Sequence, residues 1–65
     1  MLRQDDIHIG KLLRYELHTN VRQESFVAIV TNTEQDGFWI HFHDGDEMFV
    51  WYKYDLDKYE PLEIK

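Results

Sequence analysis

Two histidines in the middle of the chain are the first residues whose spacing suggests chemistry. His41 and His43 are two residues apart, so on a strand their rings lie on the same face. Imidazole nitrogens and carboxylate oxygens together form metal sites. The further ligands within the same chain are His8, His18, Asp44 and Asp46. The solvated face of a strand produces the same alternation of polar residues, and we expect no metal site and no cofactor.

The segment Asp44-Gly45-Asp46-Glu47 has the density of carboxylates found in calcium loops. It lacks the fuller spacing of ligands that a calcium loop needs. We therefore expect a solvated hairpin turn at this position.

Catalytic groups are few in this sequence. Ser25 is the sole serine, cysteine is absent, and there is no glycine-rich phosphate loop. Paired carboxylates such as Asp44 and Glu47 need an enclosed pocket to shift their pKa values, and so short a chain offers little enclosed space. We predict that the protein is not an enzyme.

Aromatic side chains and acids occur together in the second half of the chain. Exposed Trp and Tyr rings surrounded by acids are typical of protein-binding patches. The residues expected to form such a patch are Trp39, Trp51, Tyr52, Tyr54, Asp44, Asp46, Glu47 and Asp55. The alternative is that the rings cover the sheet as a second, minor core. The strand register of residues 48–54 decides whether Trp51 or Tyr52 is the buried ring.

Length and charge restrict the class of protein. The chain has 65 residues and a formal net charge of −6, which disfavours a bare phosphate backbone as partner. No apolar run reaches the roughly 20 residues of a membrane span, and the N-terminal segment does not read as a signal peptide. We expect a complete, soluble, cytoplasmic protein with one domain over residues 1–65.

Three strands joined by two turns are predicted for the middle of the chain. In residues 25–31, Phe26, Ala28 and Val30 alternate with Val27 and Ile29, as in a well-buried strand. Residues 38–43 and 48–54 alternate in the same way. The turns at 32–37 and 44–45 each contain Asp-Gly, the pair suited to positive φ in a tight hairpin. The pattern predicts an antiparallel meander.

The two ends of the chain are predicted differently. Residues 9–17 fit a helical stripe and an alternating strand equally well. Residues 55–65 predict a short turn, helical in one interpretation, followed by a brief edge strand, with Leu56 and Leu62 on either side of Pro61.

In order, these segments resemble a Tudor-type domain of the SH3-like small-barrel group. The matching features are Ile9-Gly10, Phe26 with Ala28, Phe42-His43-Asp44-Gly45, and Asp55-Leu56 followed by Pro61. The resemblance covers residues 8–62, the expected core. It implies a small five-stranded antiparallel barrel, all-β, in which residues 9–17 are a strand.

Tudor domains that read methylated Lys or Arg hold the cation in a cage of aromatic rings. The resemblance places two cage walls on Phe26 and Phe42. The position of the first-strand wall falls on Leu17, two residues after Tyr15, and that of the loop wall falls near Gly45, with Glu47 where the family has a polar clamp. The resemblance therefore implies an incomplete cage.

We therefore expect a non-enzymatic module that binds a basic peptide or protein, or a second copy of itself, through its aromatic and acidic face. The alternative is an acidic mimic of nucleic acid that inhibits a nucleic-acid-binding protein. Binding of single-stranded nucleic acid ranks last, because the chain has stacking rings but no basic groove.

Overall fold

Five antiparallel strands form one sheet in the computed structural model, which describes residues 2–62. They are β1 (Leu12–His18), β2 (Gln23–Thr33), β3 (Gly37–Phe42), β4 (Glu47–Trp51) and β5 (Tyr59–Pro61). The helical elements within residues 2–62 are two three-residue 3₁₀ turns, Gln4–Asp6 and Leu56–Lys58. None of the helical structure in this range is long and apolar enough to cross a bilayer. The prediction of an all-β chain is confirmed.

The order of the strands across the sheet is β4-β3-β2-β1-β5. Strands β1 to β4 form the predicted meander, and β5 returns to pair with the opposite side of β1. Barrel closure requires a continuous backbone ladder around the sheet. Within residues 2–62, β5 forms its three-residue ladder with β1 alone, and the sheet is not closed into the expected barrel.

The front of the chain is a strand. Residues Leu12 to His18 pair one by one with Ile29 to Gln23 of β2. This ladder gives hydrogen-bond partners to the backbone groups of β2 that face away from β3. A helix in place of β1 would leave those groups unpaired. The strand interpretation of residues 9–17 is confirmed from Leu12 onward.

One face of the sheet carries the core. The fully buried side chains are Leu13, Val30, Phe38, Ile40 and Val50, with Ala28, Tyr59 and Leu2 nearly so. Leu2 precedes the segment that was expected to form the core. The predicted alternation in β2 and β3 is confirmed, because Ala28 and Val30 are buried while Val27 and Ile29 are exposed. Strand β2 is therefore buried on one face and not on both.

The two Asp-Gly pairs have different roles. Gly45 has a φ of 102°, and its N–H donates a 3.0 Å hydrogen bond to the carbonyl of Phe42, as in the predicted tight turn. Gly37 is not among the glycines with positive φ and begins strand β3 in a buried position. The prediction of a positive φ is thus confirmed at Gly45 and wrong at Gly37.

The last segment follows the prediction closely. A 3₁₀ turn at Leu56–Lys58 leads into β5, an edge strand that ends at Pro61. Proline is tolerated there because an edge strand does not need every backbone donor.

Candidate functional site

Three aromatic side chains lie together on the outer face of the β3–β4 hairpin. Strand register places Trp39 opposite Phe49 and Gly37 opposite Trp51. The ring centroids of Trp39 and Phe49 are 5.2 Å apart, and those of Phe49 and Trp51 are 5.0 Å apart, both edge-to-face. Trp39 is 37% exposed and Trp51 is 46% exposed. We call these three side chains the aromatic cluster.

Gly37 makes room for the aromatic cluster. A Cβ added at this glycine would lie 2.7 Å from the ring of Phe49 and would also meet the carbonyl oxygen of Val50. The lack of a side chain is what lets Phe49 pack diagonally across β3 between the two indoles. The glycine is required here by close approach rather than by backbone conformation.

The turn between β2 and β3 brings carboxylates to the aromatic cluster. The indole Nε1 of Trp39 donates a 3.0 Å hydrogen bond to Oε2 of Glu34. The N–H of Tyr52 donates a 3.1 Å hydrogen bond to the carbonyl of Asp36, which ties the turn to the end of β4. An open cleft of about 410 Å³ results, lined by Glu34, Gln35, Asp36, Trp39, Phe49 and Trp51. We call it the aromatic-acidic cleft.

A β-bulge in β2 helps to set this arrangement. The register with β3 shifts between Val30, which pairs with Ile40, and Asn32, which pairs with Trp39. Bulges increase the local twist of a strand and redirect the chain that follows. The bulge lies immediately before the turn that carries Glu34 and Asp36.

The charge of the aromatic-acidic cleft is not balanced within residues 2–62. Neither Glu34 nor Asp36 has a basic side chain at ion-pair distance in that range. Elsewhere, basic side chains lie against acids: Arg14 with Glu16 and Glu60, His18 with Glu16, Arg22 with Glu24, His41 with Glu47, and Lys58 with Asp55. The cleft therefore combines exposed π faces with two carboxylates that form no ion pair within residues 2–62.

Trp51 also borders a second cleft on its other side. This cleft has a volume of about 430 Å³, and its lining includes Lys53 and Tyr54. The ammonium of Lys53 lies 5.6 Å from the centroid of the Tyr54 ring, a cation–π distance. The side chain of Trp51 thus borders two adjoining clefts.

The predicted acids of the second turn lie away from the aromatic cluster. Asp44 and Asp46 are in the turn between β3 and β4, at the opposite end of the hairpin from Trp51. Oδ1 of Asp44 accepts a 3.1 Å hydrogen bond from the N–H of Asp46. Glu47 faces His41 across the strands, with 3.5 Å between Oε1 and Nδ1. These carboxylates stabilise the turn and its hairpin end rather than flank the indoles.

The other residues predicted for the patch lie in different surroundings from one another. Tyr52 turns to the inner face, where its ring centroid is 5.5 Å from that of Phe38, and burial raises its pKa. Tyr54 is well exposed beside Lys53. Asp55 accepts a 3.0 Å hydrogen bond from Lys58, which raises the pKa of that lysine. Of the two candidates for the buried ring, Tyr52 is the one that packs against the core.

Phe26 and Phe42 lie on the inner face, in a row of rings that continues through Tyr15 to Tyr59. Phe26 and Phe42 meet edge-to-face, with centroids 6.3 Å apart and planes at 81°. Tyr15 lies 6.4 Å from Phe26 and 5.3 Å from Tyr59. Burial, reinforced by Tyr15 and Asp55, raises the pKa of Tyr59 to about 12. The row therefore belongs mainly to the packing of the sheet.

His41, His18 and His8 lie in different parts of the fold. His41 is in β3 beside Glu47, His18 is at the end of β1 beside Glu16, and His8 contacts the carbonyl of Ile9. In the part of the chain that the structure describes, no three His, Asp or Glu side chains converge as metal ligands.

Sequence reasoning did not include Phe49, Glu34 and Asp36 among the site residues. Phe49 is two residues from Trp51 and shares its face by strand alternation. The Asp36-Gly37 hairpin signal also places Glu34 and Asp36 next to the start of β3. Combining these two signals identifies the cleft.

Comparison with known proteins gives no relative. No family model matches the chain, and neither characterised proteins nor solved structures include a match.

Proposed function

We propose that this chain is a non-enzymatic binding module that holds a basic peptide or protein surface in its aromatic-acidic cleft. The observation that carries the proposal is the exposure of Trp39 and Trp51 beside Glu34 and Asp36, with no basic side chain among the described residues that line the cleft.

The fold part of the proposal is an SH3-like, Tudor-like arrangement in an open form. Its support is the meander of four strands with a fifth strand returning to β1, which is compatible with a small-barrel relationship. The binding part does not depend on it, because the cleft is built by the β2–β3 turn and the β3–β4 hairpin alone.

The physical roles of the groups differ. Indole rings attract cations through their π faces and bury apolar area with little loss of side-chain freedom. Carboxylates raise the rate at which a positively charged partner arrives and fix its orientation. Trp51 is the expected anchor, since it is the most exposed ring of the cluster and borders both clefts.

The acidic nucleic-acid mimic is less well supported by the geometry. A mimic presents a continuous stripe of negative charge, whereas the acids on β1, β2 and β5 alternate with Arg14 and Arg22. The two proposals differ in their response to mutation. Loss of the indoles abolishes binding by the cleft, while a mimic depends on salt and tolerates loss of the rings.

The test is a titration of the protein with a short lysine- and arginine-containing peptide, followed by tryptophan fluorescence. Both tryptophans of the chain are in the cluster, so the signal reports on the site itself. We expect Trp51→Ala to remove binding and to keep the fold. Met48→Ala is the matched control, because Met48 is 41% exposed on the same strand but does not line the cleft.

Equal binding by both variants and the unsubstituted protein would contradict the proposal. So would a peptide that binds while both tryptophan signals stay unchanged. The mass of the protein in solution, measured in parallel, shows whether a second copy of the chain competes as the partner.

A further inference from the structure

We infer that the aromatic-acidic cleft selects the guanidinium group of an arginine side chain over the ammonium group of lysine. This inference rests on the proposed function and specifies its ligand.

The contacts of Phe49 shape the cleft. Phe49 makes edge-to-face contacts with both indoles, which holds Trp39 and Trp51 against a common ring. Because Gly37 has no side chain, nothing projects from β3 at the point where Phe49 crosses it. Trp39 and Trp51 each keep more than a third of their residue surface exposed. A flat group can lie on such a surface with a larger contact area than a compact one.

Two carboxylates, those of Glu34 and Asp36, are the hydrogen-bond acceptors of the cleft. Glu34 uses Oε2 to accept the hydrogen bond from Trp39, and this bond orients its carboxylate at the edge of the indole. An ionised carboxylate has about four acceptor positions, so Glu34 retains capacity for a ligand. Asp36 lies in the same lining, with its backbone held by the N–H of Tyr52. A hydrogen bond within the protein therefore holds the Glu34 carboxylate beside the indole, and Asp36 is held nearby through its backbone.

The guanidinium of arginine and the ammonium of lysine differ in shape and hydration. A guanidinium is planar, stacks on aromatic faces and donates paired N–H groups to a carboxylate. A lysine ammonium is compact and strongly hydrated, so contact with an indole costs it more of its water. The exposed indoles match the flat face of a guanidinium. The neighbouring Glu34 and Asp36 match its paired N–H donors.

The experiment compares three peptides of one sequence whose basic positions are all arginine, all lysine or all citrulline. We expect the arginine peptide to bind about tenfold more tightly than the lysine peptide, the size of one well-formed paired contact. The citrulline peptide keeps the planar shape without charge, and we expect it not to bind.

Two variants of the cleft locate the preference. We expect Glu34→Gln and Asp36→Asn to reduce the ratio of arginine to lysine affinity toward one, with the hydrogen bond from Trp39 still possible in the first variant. Asp44→Asn and Asp46→Asn are the matched controls at the far end of the hairpin and are expected to keep the full ratio.

The outcomes separate the two claims. Equal affinity for the arginine and lysine peptides overturns the selectivity and leaves the binding module intact. A preference that persists unchanged in Glu34→Gln and Asp36→Asn also overturns it, because these carboxylates then do not contribute to the selection of arginine. Failure of both basic peptides to bind overturns the proposed function together with the inference.

Discussion

The ring of Phe49 lies against Gly37 and fills the space that a side chain at residue 37 would need. This contact joins the packing of β3 against β4 to the shape of the aromatic-acidic cleft, because the same ring separates the two exposed indoles. Strand packing and the shape of the cleft are therefore coupled at this glycine.

Gly37→Ala is predicted to destabilise the protein and to disturb the cluster. The added methyl group meets the Phe49 ring and the Val50 carbonyl, and overpacking of this kind costs about 1–3 kcal/mol. Urea unfolding measures the loss, and the tryptophan emission spectrum reports the displaced ring. Gly45→Ala is the comparison: it has open space but a φ of 102°, so it loses stability without changing the emission. An unchanged spectrum in Gly37→Ala would contradict the packing described.

The two faces of the sheet are predicted to differ strongly in their contribution to stability. Ile40 is fully buried in β3, whereas Ile29 in the neighbouring strand is exposed on the outer face. Ile40→Ala is expected to cost about 2–5 kcal/mol, and Ile40→Val about 0.5–1.5 kcal/mol if the alanine variant does not fold. Ile29→Ala is expected to cost less than Ile40→Ala. Chemical denaturation checks the order, and a reversed order would mean that the outer face is a second core.

Stability is predicted to fall in alkaline solution through Tyr59. Its pKa is about 12 in the folded protein, against about 10 in an unfolded chain. Below pH 10 both states keep the phenol proton, and between pH 10 and 12 the unfolded state loses it first. The free energy of unfolding therefore decreases over this interval, by about 2–3 kcal/mol in total.

Tyr59→Phe is expected to remove most of that decrease. Tyr54→Phe, at a well-exposed tyrosine, is the control and keeps the profile of the unsubstituted protein. Part of the decrease remains in Tyr59→Phe because burial also raises the pKa of Tyr52. Identical pH profiles for the two variants would show that Tyr59 ionises freely in the folded state.

Backbone protection is predicted to decline from the centre of the sheet toward β5. Strand β2 is hydrogen-bonded on both sides, and its Val30 and Ala28 are buried. Strand β5 is a three-residue edge strand. Hydrogen exchange is expected to be slowest at the N–H groups of β2 that bond within the sheet and fastest in β5. Equal protection of β5 and β2 would indicate a further partner for the edge.

Strand positions were predictable because burial on one face imposes a period of two. Phe38 and Ile40 alternate with Trp39 and His41, and this local pattern survives in the structure. The same reasoning left residues 9–17 ambiguous, since Leu13 and Leu17 satisfy both periods. The ladder with β2, a contact between distant segments, decided in favour of the strand.

The composition of the site was less predictable, because it depends on which turn comes next to which strand end. Asp44, Asp46 and Glu47 follow β3 directly in the sequence, yet the hairpin carries them away from Trp51. Glu34 and Asp36 are more distant in sequence from Trp51, and the hydrogen bond from Tyr52 to Asp36 brings their turn beside it. Closure of the sheet was likewise a long-range property, and it was predicted wrongly.

The two lateral borders of the open sheet are unequal in their ability to recruit another chain. Strand β5 is three residues long and ends at Pro61, which has no backbone N–H to offer to an incoming strand. Strand β4 is longer and has no such block in its sequence. Copies that join through β4 place β5 at both outer margins of the combined sheet. If copies pair in this way, lateral growth ends at a two-fold pair, because a strand that ends in proline then lies at both free edges.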